Sequence, residues 1–394
     1  MSAFTYTFHG VGDRVVDTLL VYALSDLAKR ADAKATLHWS LGHDVILTLQ
    51  SSNSDLQDKM FMALRKASKS YTLANRLRFW LNVGGGKGRG WSVDPIACVY
   101  CNGKKSKKYT CDKKGNCGPV DVPAYSVFFR NLNELKTIDL QGIHGLSKNK
   151  QVGDKTLYIG LSPYWSKGIR KWDSEWDSGP STYLPNQLQV LLLYGLAYYA
   201  TATLTETFIQ LIFSPPFGAY LEYTDARQLL ELVKRITNRF SLGVRGIRMN
   251  NLPIKTIPLT LLSQLDLPSL TGLSQEQLSL LFIAYDIDRA VPKNPRGYEE
   301  WSLVDAVNFY LELGTHFWDF KCMVADLASY VGRKKFASFR SRIQNILLDF
   351  SYAISGKNVW LLNDALFKAK VLSKELRIHL PSRDAVLKAQ QIFG

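Results

Sequence analysis

The first seventy residues show two different periodicities of apolar side chains. From Val11 to Arg30 the apolar positions follow helical spacing, which predicts a long helix. Residues 35–40 and 45–49 flank a Leu41-Gly42-His43 turn, and this arrangement predicts a β-hairpin. Helical spacing returns from Ser54 to Lys69. The N-terminal region therefore mixes helices and strands.

From Gln187 onward the apolar spacing is helical almost throughout. The long apolar run 188–213 contains Glu206, whose charge would be costly in a bilayer, so we interpret the run as a buried helix pair rather than a membrane span. Ser274-Gln-Glu-Gln277 has the form of a capping box and predicts a helix start. Further helices are predicted at 224–240, at 302–330, at 336–354 with Gly356 as its end, and from Pro381.

These patterns predict an α+β fold, with a mixed N-terminal domain and a mainly helical C-terminal half that ends in a helical bundle. The predicted N-terminal domain covers 1–186 and carries an inserted knuckle at about 82–120. The runs 125–129 and 157–161 are predicted as strands that return to its sheet. Residues 187–262 are predicted as a helical continuation and basic linker, and 263–394 as the bundle. The prolines of 252–272 indicate a connecting segment.

The basic charge of the chain is unevenly distributed. The 394 residues carry a formal charge of +15, and their 46% hydrophobic content excludes a disordered protein. Residues 76–117 hold ten Lys/Arg against two acidic residues, and Arg333, Lys334, Lys335, Arg340 and Arg342 form a second cluster. Concentrated positive charge favours a polyanionic partner, most often a nucleic acid.

Four cysteines lie within twenty residues: Cys98, Cys101, Cys111 and Cys117. Their spacing, C-x2-C-x9-C-x5-C, predicts a tetrahedral, structural Zn2+ site with no position left open for catalysis. Two disulfides are the alternative. The N-terminus lacks the basic head and apolar run of a secretory signal, so we expect a cytoplasmic protein with reduced thiols.

Basic residues around this knuckle are candidates for phosphate contacts. They are Arg76, Arg78, Lys87, Arg89, Lys104, Lys105, Lys107, Lys108, Lys113 and Lys114, together with Arg333, Lys334 and Lys335 of the second cluster. Arg245, Arg248 and Asn250 add the side-chain types that read guanine and adenine edges, although an ordinary polar loop is the alternative there.

No constellation of catalytic residues is recognisable. The glycine-rich stretch 82–90 lacks the Ser or Thr of a Walker motif after Lys87. No serine stands in a nucleophile elbow. We therefore expect a protein that binds nucleic acid and is not an enzyme.

The layout resembles the large subunit of type I CRISPR surveillance complexes (Cascade), in its shorter branch with a CxxC–CxxC insertion. The shared features are the cysteine knuckle in an α+β half, the helical C-terminal half, and Gly10, Val16 and Asp17 near the start. The chain departs from that pattern by lacking a proline in the opening motif and by having five residues between Cys111 and Cys117.

The resemblance implies a subunit that recognises a protospacer-adjacent motif in duplex target DNA and helps to open it for pairing with guide RNA. Its partners would be other Cascade subunits and either a helicase–nuclease or transposition proteins, with no membrane. Base pairing would then read the long sequence and the protein only a short duplex mark. Two alternatives remain open: a zinc-containing RNA-binding scaffold of another ribonucleoprotein, and a nuclease with a zinc-ribbon accessory.

Overall fold

The chain folds into two compact units. The structure is a computed structural model, and it describes residues 4–10, 14–39, 45–52, 54–68, 73, 109–111, 117–119, 128, 132–143, 186–204, 208–215, 221–240, 252–276, 278–288, 291–331 and 333–393. Unit 1 comprises Met1–Thr201, Phe217–Lys234 and Ile283–Glu299, and unit 2 comprises Ala202–Pro216, Arg235–Phe282 and Glu300–Gly394. The three-part division made from the sequence stays a prediction.

Helices and antiparallel sheets are both present, so the chain has an α+β fold. The strands are β1 Phe4–His9, β2 Lys34–Trp39, β3 Val45–Ser51, β4 Tyr109–Cys111, β5 Cys117–Pro119, β6 Ala200–Leu204, β7 Phe208–Ser214, β8 Leu221–Tyr223, β9 Ser279–Asp288 and β10 Val291–Ser302. The α-helices are α1 Arg14–Arg30, α2 Leu56–Ser68, α3 Asn186–Tyr199, α4 Arg227–Phe240, α5 Ile257–Leu262, α6 Leu267–Gln275, α7 Val304–Glu312, α8 Phe317–Val331, α9 Arg340–Ser355, α10 Val359–Leu372 and α11 Arg383–Phe393. Short 3-10 helices occupy Ile254–Thr256, Gly314–His316 and Lys334–Phe339.

Unit 1 contains a sheet with the strand order β1-β3-β2-β8. The predicted hairpin is confirmed: β2 and β3 pair antiparallel, with Trp39 opposite Val45. Alternate residues such as Leu37, Leu47 and Leu49 are fully buried, because one face of a pleated sheet is directed to the core. The predicted helices before and after the hairpin are confirmed as α1 and α2.

Helix α1 is the centre of unit 1. Its residues from Arg14 to Ala28 are buried. The helix packs against the sheet, α2 and α3. Gly195 of α3 lies so close to α1 that a Cβ atom there would be 2.6 Å from the carbonyl oxygen of Leu19. Only glycine permits this approach of two helix backbones.

A buried carboxylate also ties α1 to its neighbours. Asp26 is 5% exposed and accepts a hydrogen bond from the Tyr194 hydroxyl of α3. It pairs with Arg30 Nε at 3.1 Å and with Lys234 Nζ of α4 at 3.6 Å. Burial, followed by the Asp26 charge, raises the pKa of Tyr194 well above its usual value. The buried charge is therefore compensated by cations from two helices.

The prediction of a helix pair over 188–213 is confirmed for the first helix and wrong for the second. The first half is α3, but the second half forms β6 and β7. These two segments are rich in β-branched and aromatic residues, including Thr201, Thr203, Ile209 and Ile212. Such residues favour strands, and periodicity alone cannot separate a buried strand from a buried helix. Strands β6, β7, β9 and β10 form a second sheet with the order β10-β9-β7-β6. The parts of these strands that belong to unit 2 are residues 202–204, 208–214, 279–282 and 300–302.

The predicted helix start at Ser274–Gln277 is also wrong. Helix α6 ends there, and β9 follows. The cap lies earlier, where the Asp266 side chain accepts a hydrogen bond from the Ser269 backbone N–H at 3.1 Å. Pro258 and Pro268, assigned to a connecting segment, instead occupy the first turns of α5 and α6. Proline suits that position because its fixed φ is helical and the first N–H groups need no helical partner.

The rest of unit 2 is a set of packed helices. The predicted helix 302–330 is two helices, α7 and α8, separated at Gly314, which has a φ of +58°. Helix α9 ends at the C-cap Gly356, and α11 follows Pro381-Ser382, as predicted. Three fully buried rings form the centre: Phe320 stacks on Phe350 at 5.7 Å, and Phe309 meets both edge-on. The predicted helix 224–240 is confirmed as α4, of which residues 227–234 lie in unit 1.

Candidate nucleic-acid interface

The connection between α8 and α9 carries the second basic cluster. Arg333 leaves α8 with an extended backbone, and the residues that follow form the 3-10 helix Lys334–Phe339. Phe336 interrupts this helix with a φ of −110° and a ψ of 22°. Arg333, Lys334 and Lys335 are all exposed. The turn therefore presents three consecutive cations to solvent.

The sequence around this turn is poor in acidic residues. Between Asp326 and Asp349 the sequence contains no acidic residue. No carboxylate among the residues that the structure describes forms an ion pair with Arg333, Lys334 or Lys335. Adjacent like charges repel each other, and a bound polyanion would relieve that repulsion.

Aromatic rings lie next to two of the three cations. The Tyr330 and Phe336 rings meet edge to face at 4.7 Å. The Arg333 guanidinium lies 5.9 Å from the Tyr330 ring centre, and Lys335 Nζ lies 4.8 Å from that of Phe336. Cation–π contacts of this kind hold a charged group near a ring while its other sides stay open to solvent. We call Tyr330, Arg333, Lys334, Lys335 and Phe336 the basic surface.

Arg342 extends the basic surface onto α9. Its guanidinium lies 5.9 Å from the Phe339 ring centre and donates to Glu375 at 2.8 Å. The pair is about half exposed, so solvent screens it and its contribution to stability is small. Arg342 is therefore held in one direction by a ring and a carboxylate.

Three side chains of α8 fasten the segment after α10 beside the basic surface. The Tyr330 hydroxyl donates to the Arg377 carbonyl oxygen at 2.8 Å, and Asp326 accepts from the His379 backbone N–H at 2.8 Å. Asp319 accepts from the Ser382 backbone N–H at 3.1 Å and from its hydroxyl at 2.7 Å. Partial burial opposes ionisation of Asp319, but these hydrogen bonds and the His379 ring, whose Nε2 lies 3.4 Å from Asp319 Oδ1, keep its pKa below the usual value. Arg377 is thereby fixed next to Tyr330.

This end of the chain carries much of the positive charge. Residues 333–394 contain twelve Lys/Arg and four Asp/Glu, a net charge of +8 out of +15 for the whole chain. The field of such a segment attracts anions over about a Debye length, which is about 8 Å at physiological salt. The basic surface therefore lies within a broadly positive region of the sequence.

The structure brings together only part of the predicted site. Arg333, Lys334 and Lys335 form one exposed group, as described above. Cys111 and Cys117 are direct partners in the β4–β5 ladder. The other predicted residues lie outside the described residues: Cys98, Cys101, Arg76, Arg78, Lys87, Arg89, Lys104, Lys105, Lys107, Lys108, Lys113, Lys114, Arg245, Arg248 and Asn250. The strand predicted at 157–161 also lies outside the described residues. Of the strand predicted at 125–129, only Phe128 is described, and it is helical and buried.

The aromatic partners of the cations and the position of Arg377 were not predicted from the sequence. The sequence does contain a pattern that indicates the aromatic partners, because Tyr330, Phe336 and Phe339 are separated by multiples of three residues in and around the basic cluster. Arg377 lies 35 residues beyond Arg342 in the chain, and only the tertiary fold brings it close. Helix α10, which precedes it, was not predicted either.

The described residues contain no group of three or more His, Cys, Asp or Glu side chains that could hold a metal ion. Cys98 and Cys101 are not among those residues, so this finding does not bear on the predicted zinc site. No helix in the described ranges has the length and apolarity needed to cross a bilayer. Compared with known proteins, the chain matches no family model and no curated protein.

Proposed function

We propose that this chain is a nucleic-acid-binding protein and that the basic surface contacts the phosphate backbone. The observation that carries the proposal is the group of three exposed, consecutive cations that have no carboxylate partner among the described residues, two of them positioned over aromatic rings. Phosphate contacts of this type supply most of the affinity for nucleic acid and make it depend on salt. Arg342 and Arg377 would extend the contact.

Within that class, we propose that the chain is the large subunit of a type I CRISPR effector. The resemblance in sequence layout supports this, as does an α+β fold whose last residues are helical. The subunit would recognise a protospacer-adjacent motif in duplex target DNA and help to open the duplex for guide RNA. It would work in the cytoplasm without catalysis of its own, with other Cascade subunits and a helicase–nuclease or transposition proteins as partners.

We further propose that Cys98, Cys101, Cys111 and Cys117 hold a structural Zn2+. The register of β4 and β5 supports the second half of this ligand set, because Cys111 and Cys117 are directly opposed. Residues directly opposed in an antiparallel ladder have Cβ atoms about 4.5–5.5 Å apart, close enough for two thiolates to bind one ion. The metal would hold together the segment 98–117, which contains six lysines.

The zinc proposal predicts about one equivalent of metal in the purified protein, falling below half an equivalent in Cys111→Ser or Cys117→Ser. Elemental analysis of gel-filtered protein measures this content. Cys322→Ser is the matched control, because Cys322 is a half-buried thiol of α8 and its loss leaves the knuckle intact. Zinc-free protein whose four cysteines resist thiol reagents until reduced would show disulfides instead.

Purification from cells that make the complex tests the proposed function. We expect the chain to bring down a small RNA of uniform length with repeat-derived ends, and other protein subunits. The assembly should bind duplexes that contain one short motif more tightly than duplexes that lack it. A fixed RNA without motif-dependent DNA binding would indicate the RNA-binding scaffold. Hydrolysis of labelled DNA by the purified chain with Mg2+ or Mn2+ would contradict the non-enzymatic role.

A further inference from the structure

Helix α10 exposes a row of large apolar side chains. Trp360 is 85% exposed, Phe367 66% and Val371 39%. Their spacing of seven and four residues places them within about 40° of one another around the helix. The row is about 16 Å long, from the first turn of α10 to its last. Single exposed apolar residues are ordinary on a protein surface, but three in one row on one helix are not.

The opposite face of α10 is firmly packed. Leu362, Ala365, Ala369 and Leu372 are fully buried. The helix begins at Asn358, whose side chain accepts a hydrogen bond from the Leu361 backbone N–H at 3.1 Å. Because one face is anchored in unit 2, the exposed row is presented on a rigid element and needs no refolding to be covered.

Helix α11 adds to this surface. Its Gln390 side chain donates to Asn363 of α10 at 2.8 Å, which ties the two helices together. Leu387, one turn before Gln390, is 47% exposed. An exposed aliphatic side chain therefore stands one helical turn from the residue that contacts α10.

The charge around the row is basic. Asp364 lies beside the row, but Lys368 pairs with it and also with Asp349. Lys370, one residue before Val371, and Lys374, just after the C-cap Ser373, are both exposed. In the part of the chain that the structure describes, no carboxylate forms an ion pair with either of them. A surface that is apolar along its centre and positive at its edge is complementary to an apolar stripe with acidic borders.

We propose that the row on α10 is a docking site for an amphipathic helix of a partner protein, with apolar side chains on one face and Asp or Glu along its border. Trp360 and Phe367 would be the anchors, since large aromatic residues supply most of the binding energy at such contacts. Lys370 and Lys374 would face the acidic border. This site is distinct from the basic surface and does not depend on the proposed nucleic-acid function.

A protein partner explains the surface better than a nucleic acid strand does. Bases stack on aromatic rings, but Val371 and Leu387 offer them no ring to stack on. An apolar row with helical spacing is instead what a second helix packs against. Asn363 and Asp364 within the exposed face would also be unfavourable in the apolar part of a lipid bilayer.

Site-specific photocrosslinking in the cells that naturally make the protein tests the proposal. Phe367→p-benzoylphenylalanine keeps a large aromatic group at the centre of the row and reacts with whatever covers it. We expect a covalent adduct with one protein, joined through a segment whose sequence has helical apolar spacing and acidic borders. Adding Trp360→Ala should lower the yield at least about tenfold. Lys357→p-benzoylphenylalanine, at an exposed position before α10, is the control and should not give that adduct.

The competing outcomes overturn the proposal. Adducts only with nucleic acid, only with lipid, or with no macromolecule would show that no partner helix covers the row. An adduct whose yield is unchanged by Trp360→Ala would do the same. The substitution is not expected to unfold the protein, because Trp360 is 85% exposed, and a Tm within about 2 °C of the wild type would verify this.

Discussion

We expect DNA affinity to fall about a hundredfold at 0.1 M salt when Arg333, Lys334 and Lys335 are replaced together by alanine. Each phosphate that a cation neutralises releases about 0.7–0.9 of a counterion, and that release favours binding most at low salt. Three such contacts account for about two to three decades of affinity between 1 M and 0.1 M salt. Fluorescence anisotropy with a labelled duplex or single strand measures the change.

A charge-matched control separates local contact from net charge. Lys34, Lys59 and Lys66 of unit 1 can be replaced by alanine with the same loss of three charges. If only the basic surface contacts phosphate, this control weakens binding by no more than a few fold. Equal losses in both triple variants would show that net charge, and not the basic surface, determines affinity. All six residues are at least partly exposed, so neither variant leaves a cavity.

Gly195→Val should lower the free energy of unfolding by about 3 kcal/mol, the upper part of the range for an overpacked core. A Cβ at this position would lie 2.6 Å from the Leu19 carbonyl oxygen, and backbone cannot turn away as a flexible side chain can. The α1–α3 contact would have to widen, which would weaken the buried Asp26 group as well. Chemical denaturation measures the change in the midpoint and its slope.

The control for this substitution is Lys66→Val. It introduces the same β-branched side chain at an exposed position of helix α2, where the expected cost is only about 0.5 kcal/mol of helix propensity. A Gly195→Val protein as stable as this control would mean that α1 and α3 are not in close contact.

The hairpin β2–β3 and helices α1 and α2 of unit 1 could be predicted because their periodicities are clean. Residues 34–39 and 45–51 alternate, and a one-residue slip would move Leu37 and Leu47 from the core to solvent. Helix α1 has apolar residues on a broad face and is buried almost throughout. In such segments local pattern and tertiary environment agree.

The errors fall where a local pattern is ambiguous. Eight of the twelve residues of β6 and β7 are apolar, and for such a short apolar run a buried strand and a buried helix give the same signal. Ser274-Gln-Glu-Gln277 has the spacing of a capping box, but the β-strand that follows is set by pairing with a distant segment. Gly314 separates α7 from α8 because it adopts a positive φ, and the neighbouring residues give no pattern that predicts this conformation.

The candidate site was predictable in charge but not in geometry. The run Arg333-Lys334-Lys335 is visible in the sequence, and its basic character identified it. Its support by Tyr330 and Phe336 depends on how the chain leaves α8. Arg377 reaches the same region because α10 returns the chain to α8. Long-range packing of this kind is not encoded in local spacing.

Photocrosslinking of bound nucleic acid to the unmodified protein tests whether the basic surface contacts nucleic acid. Ultraviolet irradiation joins bases to nearby aromatic and basic residues, and mass spectrometry of the digested complex locates the joined peptides. We expect adducts on peptides that include Tyr330, Lys335 or Phe336. Adducts confined to other regions, with this stretch unmodified at saturating nucleic acid, would contradict this contact.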